Sequence, residues 1–257
     1  MISPDEWLLR KLSRKPGTRD YDTGHDGKPD GDPLGLLKQA FPDFGNRVSG
    51  KRVADFGCGW GEQAVALAGF YQCRVIGIDT NPRALAEAVR LARERHMGEA
   101  QVAFCDFTAP DLWGTFDLVI SQNAMEHYPQ PETALETMRR LLRPGGQIML
   151  TFGPPWFAPW GAHMNFFCRV PWLHLLFREQ TVMTVRASYR STVARHYHEA
   201  GLNRMSLRKL EALLSASGMS VDYIRFHGVK GQDWVNGIPL LRDLLVNQVT
   251  CQLTRVN

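Results

Sequence analysis

The sequence predicts an α/β protein whose mostly parallel sheet has helices on both faces. Strand and helix signals alternate from Lys51 to Phe152, which is typical of parallel strands joined by crossover helices. A glycine-rich turn follows the first predicted strand, and acidic residues stand where successive strands end. With 257 residues, the chain is long enough for one such domain carrying an insertion.

Short apolar runs bounded by turn residues predict seven strands. They are Arg52 to Phe56, Arg74 to Asp79, Gln101 to Cys105, Phe116 to Ser121, Gln147 to Phe152, Val221 to Phe226 and Val249 to Arg255. Helices are predicted at Glu62 to Phe70, Asn81 to a stop at Gly98, Pro131 to Leu142 and Ser206 to Ser217. The segment 143–146 is predicted to turn the chain into the fifth strand.

Helical spacing predicts which faces of two helices are buried. In the helix that starts at Asn81, the predicted buried face consists of Leu85, Val89 and Ala92. The run Ser3-Pro4-Asp5-Glu6 is typical of a helix start, with serine as the N-cap. We expect this N-terminal helix to pack on its own domain through an apolar stripe of Trp7, Leu8 and Leu12.

Composition excludes several protein classes. The chain is 44% hydrophobic and 22% charged, with a formal charge of +4, and so mild a charge does not by itself indicate DNA binding. No apolar run approaches the ~20 residues that span a bilayer. The five cysteines are scattered without a C-x-x-C pair, so we expect a reduced, cytoplasmic protein and no metal site.

The stretch from Val53 to Gly61 organises the predicted domain. It reads as a buried strand, a turn with glycines at 57, 59 and 61, and the start of a helix. Glycines let a ligand approach the main chain closely, and a helix N-terminus offers unpaired N–H groups. The spacing D-x-G-x-G-x-G, with Asp55 two residues before the first glycine, differs from the dinucleotide fingerprint G-x-G-x-x-G.

This loop, with the strand order around it, resembles the class I S-adenosylmethionine-dependent methyltransferases. The resemblance covers roughly residues 50–152 and 205–256, and implies a Rossmann-like seven-stranded sheet whose last strand is antiparallel. It implies S-adenosylmethionine as the cofactor, with Asp55 holding the methionine part, Asp79 the ribose hydroxyls and Asp106 the adenine amino group. Further expected cofactor-binding residues are Gly57, Cys58, Gly59, Gly61, Thr80, Phe107, Gln122 and Asn123.

The resemblance also divides the chain. Residues 50–152 and 205–257 are expected to form the cofactor-binding domain, and 1–49 an N-terminal helix and loop cap. The regular alternation of strands and helices stops at Phe152, so we interpret 153–204 as an insertion that shapes the substrate pocket. The stretch 15–33 is polar and rich in glycine, aspartate and proline, which predicts a loop.

The residues after the fourth strand bear on the methyl acceptor. They include neither the Asn/Asp-Pro-Pro-aromatic motif of adenine or amide methyltransferases nor a Pro-Cys pair for cytosine. The pair Glu126-His127 instead resembles small-molecule methyltransferases, and we favour O-methylation. His163, which ends an aromatic loop, is the first candidate for the base and His127 the second. A purely structural role for each histidine stays open.

The insertion leaves several partners open. An apolar run from Phe166 to Phe177 favours a helix that covers the sheet edge or a homodimer face, and leaves open a channel for an apolar acceptor or peripheral contact with a membrane surface. The six arginines against two glutamates in 153–204 are typical of a solvated helix face, and they leave open an acidic acceptor with Arg186 and Arg190 as candidate contacts. A monomer is equally compatible with the sequence. Alternative functions are an RNA methyltransferase, a non-catalytic S-adenosylmethionine-binding regulator and a nicotinamide oxidoreductase.

Overall fold

The structure is a computed structural model that describes residues 2–17, 31–106 and 110–256. Phe107 and most of the loop predicted at 15–33 lie outside these residues. The described chain forms one seven-stranded sheet with the strand order β3-β2-β1-β4-β5-β7-β6. Strands β1 to β5 pair in parallel, and β7 runs antiparallel to both β5 and β6. The predicted fold class is therefore confirmed.

The elements alternate along the chain much as the sequence predicts. The strands are β1 (Arg52–Phe56), β2 (Arg74–Ile78), β3 (Val102–Cys105), β4 (Phe116–Gln122), β5 (Leu142–Phe152), β6 (Ser220–Gly228) and β7 (Val246–Thr254). The helices are α1 (Pro4–Leu12), α2 (Gly35–Ala40), α3 (Phe44–Val48), α4 (Glu62–Tyr71), α5 (Pro82–Glu94), α6 (Pro131–Leu141), α7 (Leu173–Leu176), α8 (Glu179–Arg186), α9 (Leu207–Ala216) and α10 (Pro239–Leu245).

Both faces of the sheet are covered, which is why its central strands are apolar throughout. Successive side chains of a strand point to opposite faces: Val53 joins a cluster with α3 and α4, whereas Ala54 joins one with α6 and α9. This two-sided burial leaves the carboxyl ends of the parallel strands as the open edge. Ligands bind at that edge in open α/β sheets.

The insertion has a core of its own. Residues from 162 to 202, including Phe167, Val182 and Tyr197, pack together, and Leu9 of α1 is part of the same cluster. The predicted stripe on α1 was wrong, because Trp7, Leu8 and Leu12 are each about half exposed and Leu9 is the buried residue. Helix α1 thus packs on the insertion, whereas α2 and α3 pack on the sheet.

The predicted face of α5 also needs correction. The fully buried residues are Ala84, Ala88 and Ala92, one position away from the larger Leu85 and Val89, which are half-buried. The reason is the glycine loop: a β-carbon on Gly61 would lie 2.6 Å from the Ala88 Cβ. Only small side chains allow this approach. Helix α5 ends at Glu94, one turn before the predicted stop at Gly98.

Two other differences concern the start of one strand and a group of short helices. Strand β5 begins at Leu142, the last residue of the predicted helix, and runs through the predicted turn at 143–146, because Leu142 pairs with Phe116 before a bulge in the ladder. The short helices α2, α3 and α10 had no clear periodicity in the sequence.

Among the described residues, no helix combines the length and the apolar character needed to cross a membrane.

Candidate active site

The glycine loop lies at the carboxyl end of β1, as predicted. The amides of Gly57 and Cys58 donate to the carbonyl of Ile78 at 2.8 and 3.1 Å, which fixes the loop against β2. Gly57, Gly59 and Gly61 all have positive φ, between 50° and 85°, a region that other residues enter at a cost. A β-carbon on Gly59 would meet no atom within 4 Å, so this glycine faces open space.

Asp55 lies under this loop and is fully buried. Gln63 of α4 donates to its Oδ1 at 2.6 Å, while Oδ2 has no hydrogen-bond partner. Burial raises the pKa of Asp55 to about 7, and the nearby Asp79 carboxylate adds to that effect. A cationic group placed against Oδ2 would relieve the cost of this buried carboxylate.

Asp79 follows β2 and holds the loop from the other side. Its Oδ2 accepts from the Gly59 amide at 2.9 Å, and its Oδ1 accepts from the Asn81 amide at 2.8 Å. A carboxylate has about four acceptor sites, so each oxygen retains one. These remaining sites can accept from the two hydroxyls of a ribose.

Two adjoining cavities open along this edge of the sheet. One, of about 320 Å³, is lined by Asp55, Cys58, Gly59 and neighbours of the loop. The other, of about 610 Å³, is lined by Asp79, Thr80, Asn123, His127 and Tyr128, among others. Gly57 and Gln122 line both cavities. The predicted loop residues and the turn after β4 therefore share one continuous cleft.

Other predicted cofactor residues lie apart from this cleft or have structural partners. Asp106 is exposed and borders a small separate crevice beside Phe56 and Ile78. Gly61 packs on Ala88. The side-chain oxygen of Asn123 accepts from Thr151 and Gln248. Phe107 is outside the described residues. Their roles in cofactor binding stay predictions.

The turn after β4 contains a residue that the sequence did not single out. The hydroxyl of Tyr128 donates to the Phe56 carbonyl at 2.9 Å and lies 3.0 Å from the Ser121 Oγ. A β-carbon on Gly57 would lie 2.6 Å from the same hydroxyl oxygen. Tyr128 thereby ties the turn to the end of β1. The only sequence feature that pointed to Tyr128 was its position directly after Glu126-His127.

The end of the insertion braces the same turn. Asn203 donates from its Nδ2 to the carbonyls of Met125 and Tyr128, both at 2.8 Å, and from its amide to the Glu126 carbonyl at 3.0 Å. The Gly201 carbonyl lies 2.8 Å from His127 Nδ1. Because a carbonyl can only accept, Nδ1 carries a proton, and in the neutral imidazole of His127 the acceptor is Nε2.

His163 belongs to the insertion, and its ring packs against the ring of His127. The two rings are 5.2 Å apart between centroids and meet at 88°. Burial lowers the pKa of His163 to about 4, and the neighbouring His127 adds to this shift. The imidazole is therefore neutral at physiological pH. Its Nε2 is buried without a hydrogen-bond partner.

The arginines of the insertion are less available than the sequence suggested. Arg186 is buried, and its guanidinium donates to the Thr192 carbonyl at 3.0 Å. Arg190 lies over the ring of Phe166, with 4.4 Å between its guanidinium carbon and the ring centroid. Both side chains hold the fold of the insertion, so they do not by themselves indicate an acidic acceptor.

The cleft fits S-adenosylmethionine by its own chemistry. Asp55 Oδ2 and Gln122 Oε1 are buried oxygens without partners that line it, and they suit a ligand that brings positive charge and N–H donors. Gly59 leaves room for the ligand to approach the main chain. Asp79 has acceptor sites left for ribose hydroxyls.

Comparison with known proteins agrees with this fit. A family model described as a methyltransferase domain matches residues 53–146. A ubiquinone biosynthesis O-methyltransferase from Aromatoleum aromaticum is 31% identical over 153 residues, which cover 58% of this chain and 63% of that protein. One from Pseudomonas aeruginosa is 36% identical over 112 residues, covering 40% of this chain and 45% of that protein. The chain thus spans less than two thirds of these relatives.

Solved structures share the fold at low sequence identity. A methyltransferase from Methanosarcina mazei has a TM-score of 0.54 at 17% identity, covering 84% of this chain and 98% of that one. A geranyl diphosphate methyltransferase bound to its cofactor has a TM-score of 0.54 at 16% identity, covering 80% and 79%. A cyclase also has a TM-score of 0.54, at 17% identity, covering 90% and 87%. Residues 53–146 therefore match a methyltransferase domain, and the described chain shares the fold of solved S-adenosylmethionine-dependent methyltransferases.

Proposed function

We propose that this protein transfers a methyl group from S-adenosylmethionine to a hydroxyl group of a small molecule. The observation that carries the proposal is the shared cleft. Asp79 and Gly57 on the donor side line the same 610 Å³ cavity as His127 and Tyr128. A cavity of this size holds part of a cofactor and a small acceptor together.

In this proposal the donor side binds and orients the cofactor, which supplies an activated methyl group on a sulfonium. Asp55 and the glycine loop hold the methionine part, and Asp79 accepts from the ribose hydroxyls. Alignment and exclusion of water are the main needs of such a transfer. The turn after β4 lines the acceptor side, where His127 faces the cavity and His163 packs against His127.

Oxygen as the methylated atom is supported by the relatives. Those reported above carry the name ubiquinone biosynthesis O-methyltransferase. The acceptor side offers acceptor nitrogens, on neutral His163 and on His127, which suit a hydroxyl donor. We therefore rank phenols and other hydroxylated rings ahead of amines as substrates.

The test combines binding with an acceptor screen. Calorimetry with S-adenosylmethionine should show one site per chain. Incubation with a methyl-deuterated donor and panels of phenols, catechols, amines, carboxylic acids and RNA oligonucleotides should then give labelled product from hydroxylated rings. Labelling of amines or RNA alone would overturn oxygen transfer to a small molecule. Failure to bind the donor would overturn the proposal as a whole.

A second candidate is a protein that binds S-adenosylmethionine without transferring its methyl group. The observation that favours it is the cyclase among the structures that share the fold, which shows that this fold also serves other reactions. The same screen separates the two candidates. Donor binding with no labelled product from cell extract, while an acceptor is consumed without gaining a methyl group, would support the second.

A further inference from the structure

The geometry points to a site for one divalent transition-metal ion, held by the carboxylate of Glu126 and the imidazoles of His127 and His163. We predicted no metal site from the scattered cysteines, and Glu126-His127 and His163 are distant along the chain. The fold brings one ligand atom from each residue to within 4.8 Å of the others. A tetrahedral site with metal–ligand bonds of ~2.1 Å separates ligand atoms by about 3.4 Å, so small side-chain rotations close the site.

Glu126 gives the strongest argument. Its side chain is only 4% exposed, and neither carboxylate oxygen has a hydrogen-bond partner of ordinary geometry. A buried carboxylate is normally paired or bound to a metal. Here the cationic side chains that would pair with it are absent from the hydrogen bonds and ion pairs described.

Both histidines are arranged as metal ligands. His127 Nδ1 is directed at the Gly201 carbonyl at 2.8 Å, and the ring of His163 is hydrogen-bonded to the carbonyl of Pro154. Histidines that bind metals commonly donate their other N–H to a carbonyl, which fixes the ring and its tautomer. In His163 the nitrogen left over, Nε2, is buried and unpartnered.

The donor set indicates which metals fit. Two imidazoles and one carboxylate suit Zn²⁺ or Fe²⁺, whereas Mg²⁺ and Ca²⁺ prefer sites made of oxygen atoms. Three protein ligands leave at least one position open, as in catalytic sites. His127 lines the 610 Å³ cavity, so the open position can face the acceptor.

A metal here would deepen the function proposed above, on which this step rests. A hydroxyl oxygen bound to the metal would be oriented toward the cleft, and its pKa would fall, so that its proton would pass to solvent water as the methyl group is transferred. His127 and His163 would then act on the hydroxyl as ligands of the metal instead of accepting its proton directly. Metal binding itself does not depend on the identity of the acceptor and can be measured alone.

The experiment is a titration of the full chain, stripped with a chelator, with Co²⁺ and then Zn²⁺. We expect visible Co²⁺ absorption that saturates at one equivalent and is displaced by Zn²⁺. Glu126→Gln, His127→Asn and His163→Asn should each weaken Co²⁺ binding by more than the roughly 10- to 100-fold that loss of a hydrogen-bond partner behind a ligand causes. Glu126→Gln removes only the buried charge, so it keeps the fold.

The matched controls are His196→Asn and His198→Asn. The rings of these two exposed histidines stack with 5.3 Å between their centroids. They could bind Co²⁺ nonspecifically at the surface, away from the proposed site. Co²⁺ binding that is absent, or that follows His196 and His198, would overturn the metal site. Cofactor binding and methyl labelling are measured on the same stripped and loaded samples. Metal binding without any labelling would overturn the proposed function alone, and labelling by protein that binds no metal would overturn the metal site alone.

Discussion

The donor side and the acceptor side of the cleft are built in different ways. The donor side uses residues close together in sequence: Asp55, the glycine loop and Asp79 lie within 25 residues, on two adjacent parallel strands. The acceptor side joins the turn after β4 to His163 and Asn203 of the insertion, a segment that has a core of its own. The first depends on a repeated local pattern, and the second depends on how the insertion folds.

This difference explains how each half is held. Backbone hydrogen bonds between neighbouring strands fix the donor side, since the Gly57 and Cys58 amides both donate to Ile78. The acceptor side relies on a few side-chain contacts across the boundary, chiefly those of Asn203. Variants on the two sides should therefore separate cofactor affinity from turnover.

The largest expected effect is on the donor side. Asp79→Asn removes the charge that accepts from the Gly59 amide and that we propose accepts from the ribose hydroxyls. It should raise the Kd for S-adenosylmethionine by about 10- to 100-fold, since hydrogen bonds to charged groups contribute about 1.5–3 kcal/mol. Calorimetry measures this change. Asp111→Asn, an exposed carboxylate, is the control. Equal Kd values for the two variants would show that Asp79 does not hold the cofactor.

The second effect tests the contact between the two sides. Asn203→Ala removes the two donors that reach Met125 and Tyr128, and Asn236→Ala removes a similar donor to the Phe226 carbonyl. Each should lower the free energy of unfolding by about 1–3 kcal/mol. Only Asn203→Ala should lower kcat, by about tenfold, less than the ~100-fold of a 1 Å misplacement. Kinetics with a labelled acceptor would contradict this if both variants slowed equally.

These contrasts show what the sequence could predict. The strands, the glycine loop, Asp55 and Asp79 follow from short-range patterns that fold the same way wherever a doubly wound sheet forms. The meeting of Glu126 and His127 with His163 could not be predicted, because it depends on the path of 153–204. Nor could the role of Asn203, a single amide whose partners are main-chain carbonyls. Ala84 and Ala88 of α5 were missed because close helix packing, not hydrophobicity, selects them.

The third effect concerns pH on the donor side. The pKa of Asp55 is raised to about 7, so the ligand-free protein holds a proton there at lower pH, and a cationic ligand must displace it. Affinity for S-adenosylmethionine should rise with pH, by up to about tenfold per unit below pH 7, and level off above it. Calorimetry across this range measures the slope.

Asp55→Asn should abolish that slope and lower affinity above pH 7. The raised pKa also means that Asp55 stabilises the ligand-free fold least when it is ionised, so its contribution to stability falls as pH rises from about 4 to 7. The variant should therefore melt at a higher temperature than the parent above pH 7 and similarly at pH 4. An unchanged affinity slope in Asp55→Asn would assign the titration to another group.

The smallest expected effect comes from replacing a glycine of the loop by alanine. It separates the cost of a strained backbone from the loss of space for the ligand. Gly59 and Gly114 both have positive φ, and a β-carbon on either would meet no atom within 4 Å. Replacing either by alanine should therefore lower the free energy of unfolding by a similar amount, about 1–2 kcal/mol, from left-handed strain alone. Only Gly59→Ala places a methyl group where the cofactor approaches the loop, so only it should weaken cofactor binding. If Gly59→Ala lost stability but kept full affinity, the open space at Gly59 would not belong to the donor site, and the cofactor would have to lie nearer Asp79.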